Sequence, residues 1–287
     1  MALNELGMHG RRRSCHNPRR FPSMEWLLAY LAIGVVVGFL AGLLGIGGGA
    51  VTVPLLVWAF GAQALPGEHV MRMALGTSMA VIFFTSLSSM RAHQKHGAVD
   101  WKIVRAMAPG ILAGSFGAAL AAAHIPTRGL AMIFTVLAFY AGGQMRFELR
   151  PPASRTLPGA AGLFAAGAGI GAASSLFAAG GAFLTVPFLV WCNVPIRRAI
   201  GTAAGNGFPI AAAGTAGYVL QGLRVEGLPG ATLGYVYLPA LALIALASMS
   251  IAPLGARTAY RVPVKALRVV FAVLIGAMAV RTLATLW

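Results

Sequence analysis

After a polar opening, apolar residues run almost end to end in blocks divided by short polar punctuation. They lie at 26–44, 47–60, 70–90, 103–123 and 129–145, and again at 157–177, 180–191, 199–220, 231–255 and 264–286. About 20 apolar residues cross ~30 Å of hydrocarbon as a helix rising ~1.5 Å per residue, and the second block of each set is too short for that. The pattern predicts an all-α fold, a polytopic transmembrane bundle of two repeats with about five helices each, the second of each half short or broken.

The halves also match in sequence, which bears on the fold before any motif does. Residues 47–58, Gly-Gly-Gly-Ala-Val-Thr-Val-Pro-Leu-Leu-Val-Trp, align without a gap on 180–191, Gly-Gly-Ala-Phe-Leu-Thr-Val-Pro-Phe-Leu-Val-Trp, with eight of the twelve identical. Downstream, Ala74-Leu75-Gly76-Thr77-Ser78 meets Ala199-Ile200-Gly201-Thr202-Ala203. An internal duplication follows, with a first transmembrane repeat over 24–145, a cytoplasmic linker over 146–156 and a second repeat over 157–287. Residues 1–23, with five arginines among Ser, Asn and Pro, read as a disordered basic tail or as a misassigned start ahead of Met24.

Composition confirms the class: 58% hydrophobic, 10% charged, 37 glycines and a mean hydropathy of +0.79 exclude a soluble domain and a single-anchor protein. The net charge of +16 would suggest nucleic acid elsewhere, but here Lys and Arg sit between apolar blocks, where the positive-inside rule places them. If every block crosses and Met24 starts outside, the cytoplasmic loops hold Arg91, Lys95, Lys102, Arg105, Arg146, Arg150, Arg155, Arg197, Arg198, Arg257, Arg261, Lys265 and Arg268. Only Arg72, Arg128, Arg224 and Arg281 fall outside. Five crossings per half make the repeats inverted. In a rival arrangement the two short blocks are re-entrant, each half crosses four times, and the repeats are parallel. Two cysteines, Cys15 and Cys192, provide neither a disulfide framework nor metal-ligand spacing.

The chemistry-bearing residues gather at the two glycine breaks. Gly45-Ile46-Gly47-Gly48-Gly49 lacks the Gly-x-Gly-x-x-Gly spacing, the preceding strand and the acidic residue of a dinucleotide site. It reads instead as a helix break inside the membrane, and an opened backbone there must face protein, water or ligand. Gly47, Gly48, Gly49 and Pro54, paired with Gly180, Gly181 and Pro187, point to a substrate site at the repeat interface. Thr52, Thr185, Thr77, Ser78, Thr202 and Asn206 add neutral donors near two helix N-termini, an arrangement that binds an anion without a buried cation. Gly34, Gly38 and Gly42, like Gly110 and Gly114, have the four-residue spacing of close helix packing and take no ligand role. No block has a carboxylate or cation at its centre, which argues against a proton pump or a cation-coupled antiporter. No nucleophile, base and metal set can be assembled, so an enzyme is not expected, and neither is a cofactor.

These motifs together, Gly45-Ile46-Gly47-Gly48-Gly49 leading into Val51-Thr52-Val53-Pro54, Gly180-Gly181 before Thr185-Val186-Pro187, and Gly-Thr after each, resemble the TauE/SafE family of sulfite exporters from about Met24 onward. The resemblance implies a bacterial inner-membrane permease that exports sulfite, sulfoacetate or a similar organosulfonate or sulfur-containing anion. It places the motif positions at Gly45, Gly47, Gly48, Gly49, Pro54, Gly180, Gly181 and Pro187. The second copy departs from the first in having Phe177-Ala178-Ala179 before its glycines. Expected partners are the small anion and the lipid bilayer, not nucleic acid, and homo-oligomerisation is left open. The alternative is a non-transporting scaffold or accessory subunit whose breaks only pack helices.

Overall fold

A computed structural model of the chain describes residues 23–44, 48–147 and 155–259, with 273, 276, 277, 280 and 281 beyond them. Gly45, Ile46, Gly47, the tail before Ser23, most of the linker and nearly all of the block at 264–286 lie outside the described residues.

Among those residues the chain is nearly all helix: α1 (Met24–Leu44), α2 (Gly49–Ala62), α3 (Gly67–Lys95), α4 (Trp101–Ala121), α5 (Thr127–Phe147), α6 (Ala160–Phe177), α7 (Ala182–Trp191), α8 (Ile196–Gly222) and α9 (Leu238–Ala259). By length and composition α1, α3, α4 and α6 can each cross a membrane, whereas α2 and α7 have only 14 and 10 residues. Large apolar side chains lie outside as well as inside. Leu28, Val35 and Val36 on α1 and Met132, Val136 and Phe139 on α5 are exposed, while Thr52, Thr77, Ser115, Ser174, Thr185 and Asn206 have no exposed surface. Apolar faces turned outward, with a few neutral polar side chains held inside a largely apolar core, suit lipid as the surrounding solvent.

One departure from the expected pattern lies at the start of the 231–255 block, which is not helical throughout. Thr232–Leu233 (β1) and Val236–Tyr237 (β2) form a small antiparallel hairpin, with Thr232 opposite Tyr237 and Leu233 opposite Val236. Gly234, at φ 57°, supplies the positive φ that a two-residue hairpin turn needs at its first central position, and helix begins only at Leu238.

The two halves interlock. α1 packs on α9 and α4 on α6, so the first helix of each half lies against the fourth of the other. Glycines set both contacts: a Cβ on Gly34 would lie 2.7 Å from Cβ of Ala247, one on Gly38 would lie 2.5 Å from Cα of Ser248, and one on Gly110 or Gly114 would overlap the carbonyl of Phe164 or Ala168. Backbones this close leave room only for hydrogen, the role expected of small residues at four-residue spacing. α3 and α8 cross at the centre in opposite directions, with Gly76 against Tyr218, Met79 against Gly214 and Ser86 against Gly207.

Loops sort to the two ends of this antiparallel pair. At one end Arg72 donates to the carbonyls of Ala122 (3.2 Å) and Ile125 (2.8 Å), and Gln221 donates to Leu120 (3.0 Å). At the other, the N–H of Arg155 donates to Trp191 O at 3.2 Å, and Asp100 caps α4 by accepting from Lys102 and Ile103. Arg72 and Arg224 belong to the first end; Lys95, Lys102, Arg155, Arg197 and Arg198 belong to the second.

Candidate functional site

Both short helices begin halfway along the central pair. Gly48 caps α2 at φ 67°, ψ −15°, and Gly181 caps α7 at φ 75°, ψ −10°, so the duplicated sequence adopts the same left-handed turn twice. A non-glycine residue there would cost about 1–2 kcal/mol, which explains the glycine at each cap. Gly49 is so close to the carbonyl oxygen of Ala178 and to Ile82 that a Cβ would overlap both. Gly180 lies against Gly207, whose Cβ position is 3.3 Å from Gly180 O. The first break therefore abuts the second, and α2 and α7 lead away from the meeting point. Neither cap has a side-chain hydrogen bond. The N–H groups of Gly49, Ala50, Ala182 and Phe183 find no acceptor among the described residues. Two positive helix ends with free donors face one region.

The hydroxyls divide into two kinds. Thr52 donates to Gly48 O at 3.0 Å, the local bond a helical threonine commonly makes. Thr77 accepts from the N–H of Tyr237 at 3.0 Å, and Thr202 accepts from the N–H of Asp100 at 3.1 Å. Each of these threonines thus braces the residue just before or at the start of the opposite half's fourth helix. By contrast the buried hydroxyls of Ser78, Ser174, Ser175 and Thr185, and the amide oxygen of Asn206, have no partner among the described residues. The Nδ2 of Asn206 is 3.6 Å from the sulfur of Met107. Ser115, which donates to Ile210 O at 2.8 Å, lies beside Ser175 at Gly214. Pro54 is buried within α2, and Pro187 is half-buried within α7.

Ser174, Ser175 and Ser115 escaped the sequence reading. They sit in Ala/Gly/Ser-rich stretches that read as packing, and only the unmet hydrogen-bonding capacity of the two α6 serines distinguishes them. Buried polar side chains among the described residues are Ser, Thr and Asn, with no charged group among them.

A bundle of apolar helices enclosing two half-length helices that start from its centre defines a multi-pass membrane protein of the transporter kind. The chain belongs to the family described as Sulfite exporter TauE/SafE, whose model matches residues 30–282. It is 34% identical to a protein of Haemophilus influenzae named "Probable membrane transporter protein", over 89% of this chain and 97% of that one. A Methanocaldococcus jannaschii protein of the same description is 25% identical over 86% of this chain and 92% of the relative. The Bacillus subtilis relative YunE is 35% identical over 41% of each chain. No solved structure matches the chain.

Proposed function

We propose that the protein is a permease of the bacterial inner membrane that exports a small anion, sulfite or an organosulfonate, between two halves of opposite orientation. The observation carrying this reading is the abutment of the two breaks, Gly49 on Ala178, halfway along α3 and α8. Buried backbone N–H groups without acceptors are costly unless a ligand meets them, and anions are what helix N-termini attract. Around them stand Ser78, Thr185 and Asn206, neutral groups that can solvate an oxyanion without trapping it, whereas the hydroxyl of Thr52 is spent on Gly48 O. The antiparallel crossing of α3 and α8 supports inversion, as does the collection of Lys95, Lys102, Arg155, Arg197 and Arg198 at one end, which is the cytoplasmic end by the positive-inside rule.

Flux of sulfite, sulfoacetate, taurine and thiosulfate from proteoliposomes holding the purified chain alone tests the reading. Movement of at least one of these above protein-free vesicles is expected. None moving, from a protein shown to be folded, rejects transport in favour of a scaffold.

A further inference from the structure

The two caps, Gly48 and Gly181, match in backbone, yet their polar surroundings differ. Around the second, Ser174 Oγ is 3.4 Å and Thr185 Oγ1 3.6 Å from the position a Cβ would take on Gly181, so both hydroxyls face the N-terminus of α7. Both side chains are fully buried, and both hydroxyls lack a partner among the described residues. Asn206, also fully buried, precedes the Gly207 that abuts Gly180, and its amide oxygen is unmatched. The alignment of the halves pairs Ser174 with Ala41, Ser175 with Gly42 and Asn206 with Val81. Thr185 pairs with Thr52, whose hydroxyl is already engaged by Gly48 O.

We propose that the ligand is held one-sidedly, by the second break. Ser174, Thr185 and the first-turn N–H groups of α7 bind the oxyanion, and the first break serves chiefly as the wall against which it rests. Burying an unmatched hydroxyl costs free energy, so the two that converge on this helix end mark a place where the fold is not optimised for its own stability. Their equivalents in the first half are apolar or internally bonded, so the same region does not recur there. The inference rests on the transport reading above and narrows it to named donors.

The test compares Ser174→Ala, Thr185→Val and Thr185→Ser with Thr52→Val in proteoliposomes, using whichever of sulfite, sulfoacetate and thiosulfate the wild type moves, together with thermal unfolding in detergent. Losing one hydrogen bond to a charged oxygen should raise KM about tenfold or more in Ser174→Ala and Thr185→Val. Thr185→Ser should restore the wild-type value. Thr52→Val should raise KM by about tenfold less than Thr185→Val does. Ser174→Ala and Thr185→Val should unfold at or above the wild-type temperature, because the removed hydroxyl makes no bond among the described residues. Equal effects of Thr52→Val and Thr185→Val, or a wild-type KM in Ser174→Ala and Thr185→Val, overturn the one-sided site while leaving transport standing. A folded wild type that moves none of the anions overturns both.

Discussion

Phe83 and Phe208 stack with ring centroids 5.0 Å apart, and in the alignment that matches Ala74 with Ala199 they occupy the same position in the two halves. A residue meets its own counterpart only near an axis that exchanges the halves. α3 and α8 run antiparallel there, so exchange about that axis would reverse helix direction, as the inverted repeat we propose requires. A cysteine pair replacing Phe83 and Phe208, in a chain freed of Cys15 and Cys192, should join through a short bifunctional thiol reagent. Reporter fusions should find the loop after Lys95 in the cytoplasm and the one around Arg224 in the periplasm. Both loops on one side would require parallel repeats.

Thr77 and Thr202 tie each half to the other, accepting from N–H groups that lie 160 and 102 residues away in the chain. Replacing either with Val strands a backbone donor, a loss of about 1–3 kcal/mol for a buried group. The effect should be larger for Thr77→Val, whose donor Tyr237 is buried, than for Thr202→Val, whose donor is half-buried. Unfolding temperatures in detergent measure it. Equal, negligible shifts would mean that these bonds do not hold the fourth helices in place.

Much of this was legible in the sequence, and the boundary falls at long-range partners. Blocks of apolar residues gave the class because lipid allows few alternatives to helices, and the twin glycine motifs marked both breaks. The alignment placed Thr77 beside Thr202 without revealing that each reaches the opposite half. It also made Thr52 and Thr185 look equivalent, since identity of residue does not fix which acceptor a hydroxyl finds. The hairpin at Thr232–Tyr237 hid in an apolar block because two-residue strands leave no periodicity to read.

Glycines that permit close approach should respond to a single methyl group. Gly49→Ala forces Cβ into the carbonyl oxygen of Ala178, a backbone atom that cannot rotate away, so reduced insertion or a lowered unfolding temperature is expected. Gly61, late in the same helix, has open space around its Cβ position. Gly61→Ala should be neutral or stabilising by up to about 1 kcal/mol, the usual gain of Ala over Gly within a helix. Comparable losses in the two variants would show that the contact between breaks is looser than described.

The last expectation concerns charge. An inside-negative potential drives an anion outward with ~2.3 kcal/mol per unit charge per 100 mV, so export needs no coupling cation. A dianion would gain twice that, but a site of neutral donors must first accept it, and the solvation cost of burying an ion rises with the square of its charge, roughly fourfold for a dianion. With only Ser, Thr and Asn buried among the described residues, the singly charged form should be the one carried. At fixed total sulfite and equal pH on both sides, flux under an imposed potassium diffusion potential should rise as pH falls and hydrogensulfite replaces sulfite. Protein-free vesicles supply the blank for leak of the uncharged acid. Thiosulfate, doubly charged throughout that range, should move slowly and without pH dependence. Thiosulfate flux matching that of hydrogensulfite would mean that the site neutralises a second charge, and flux that ignores the potential but follows an imposed pH gradient would mean that protons are coupled after all.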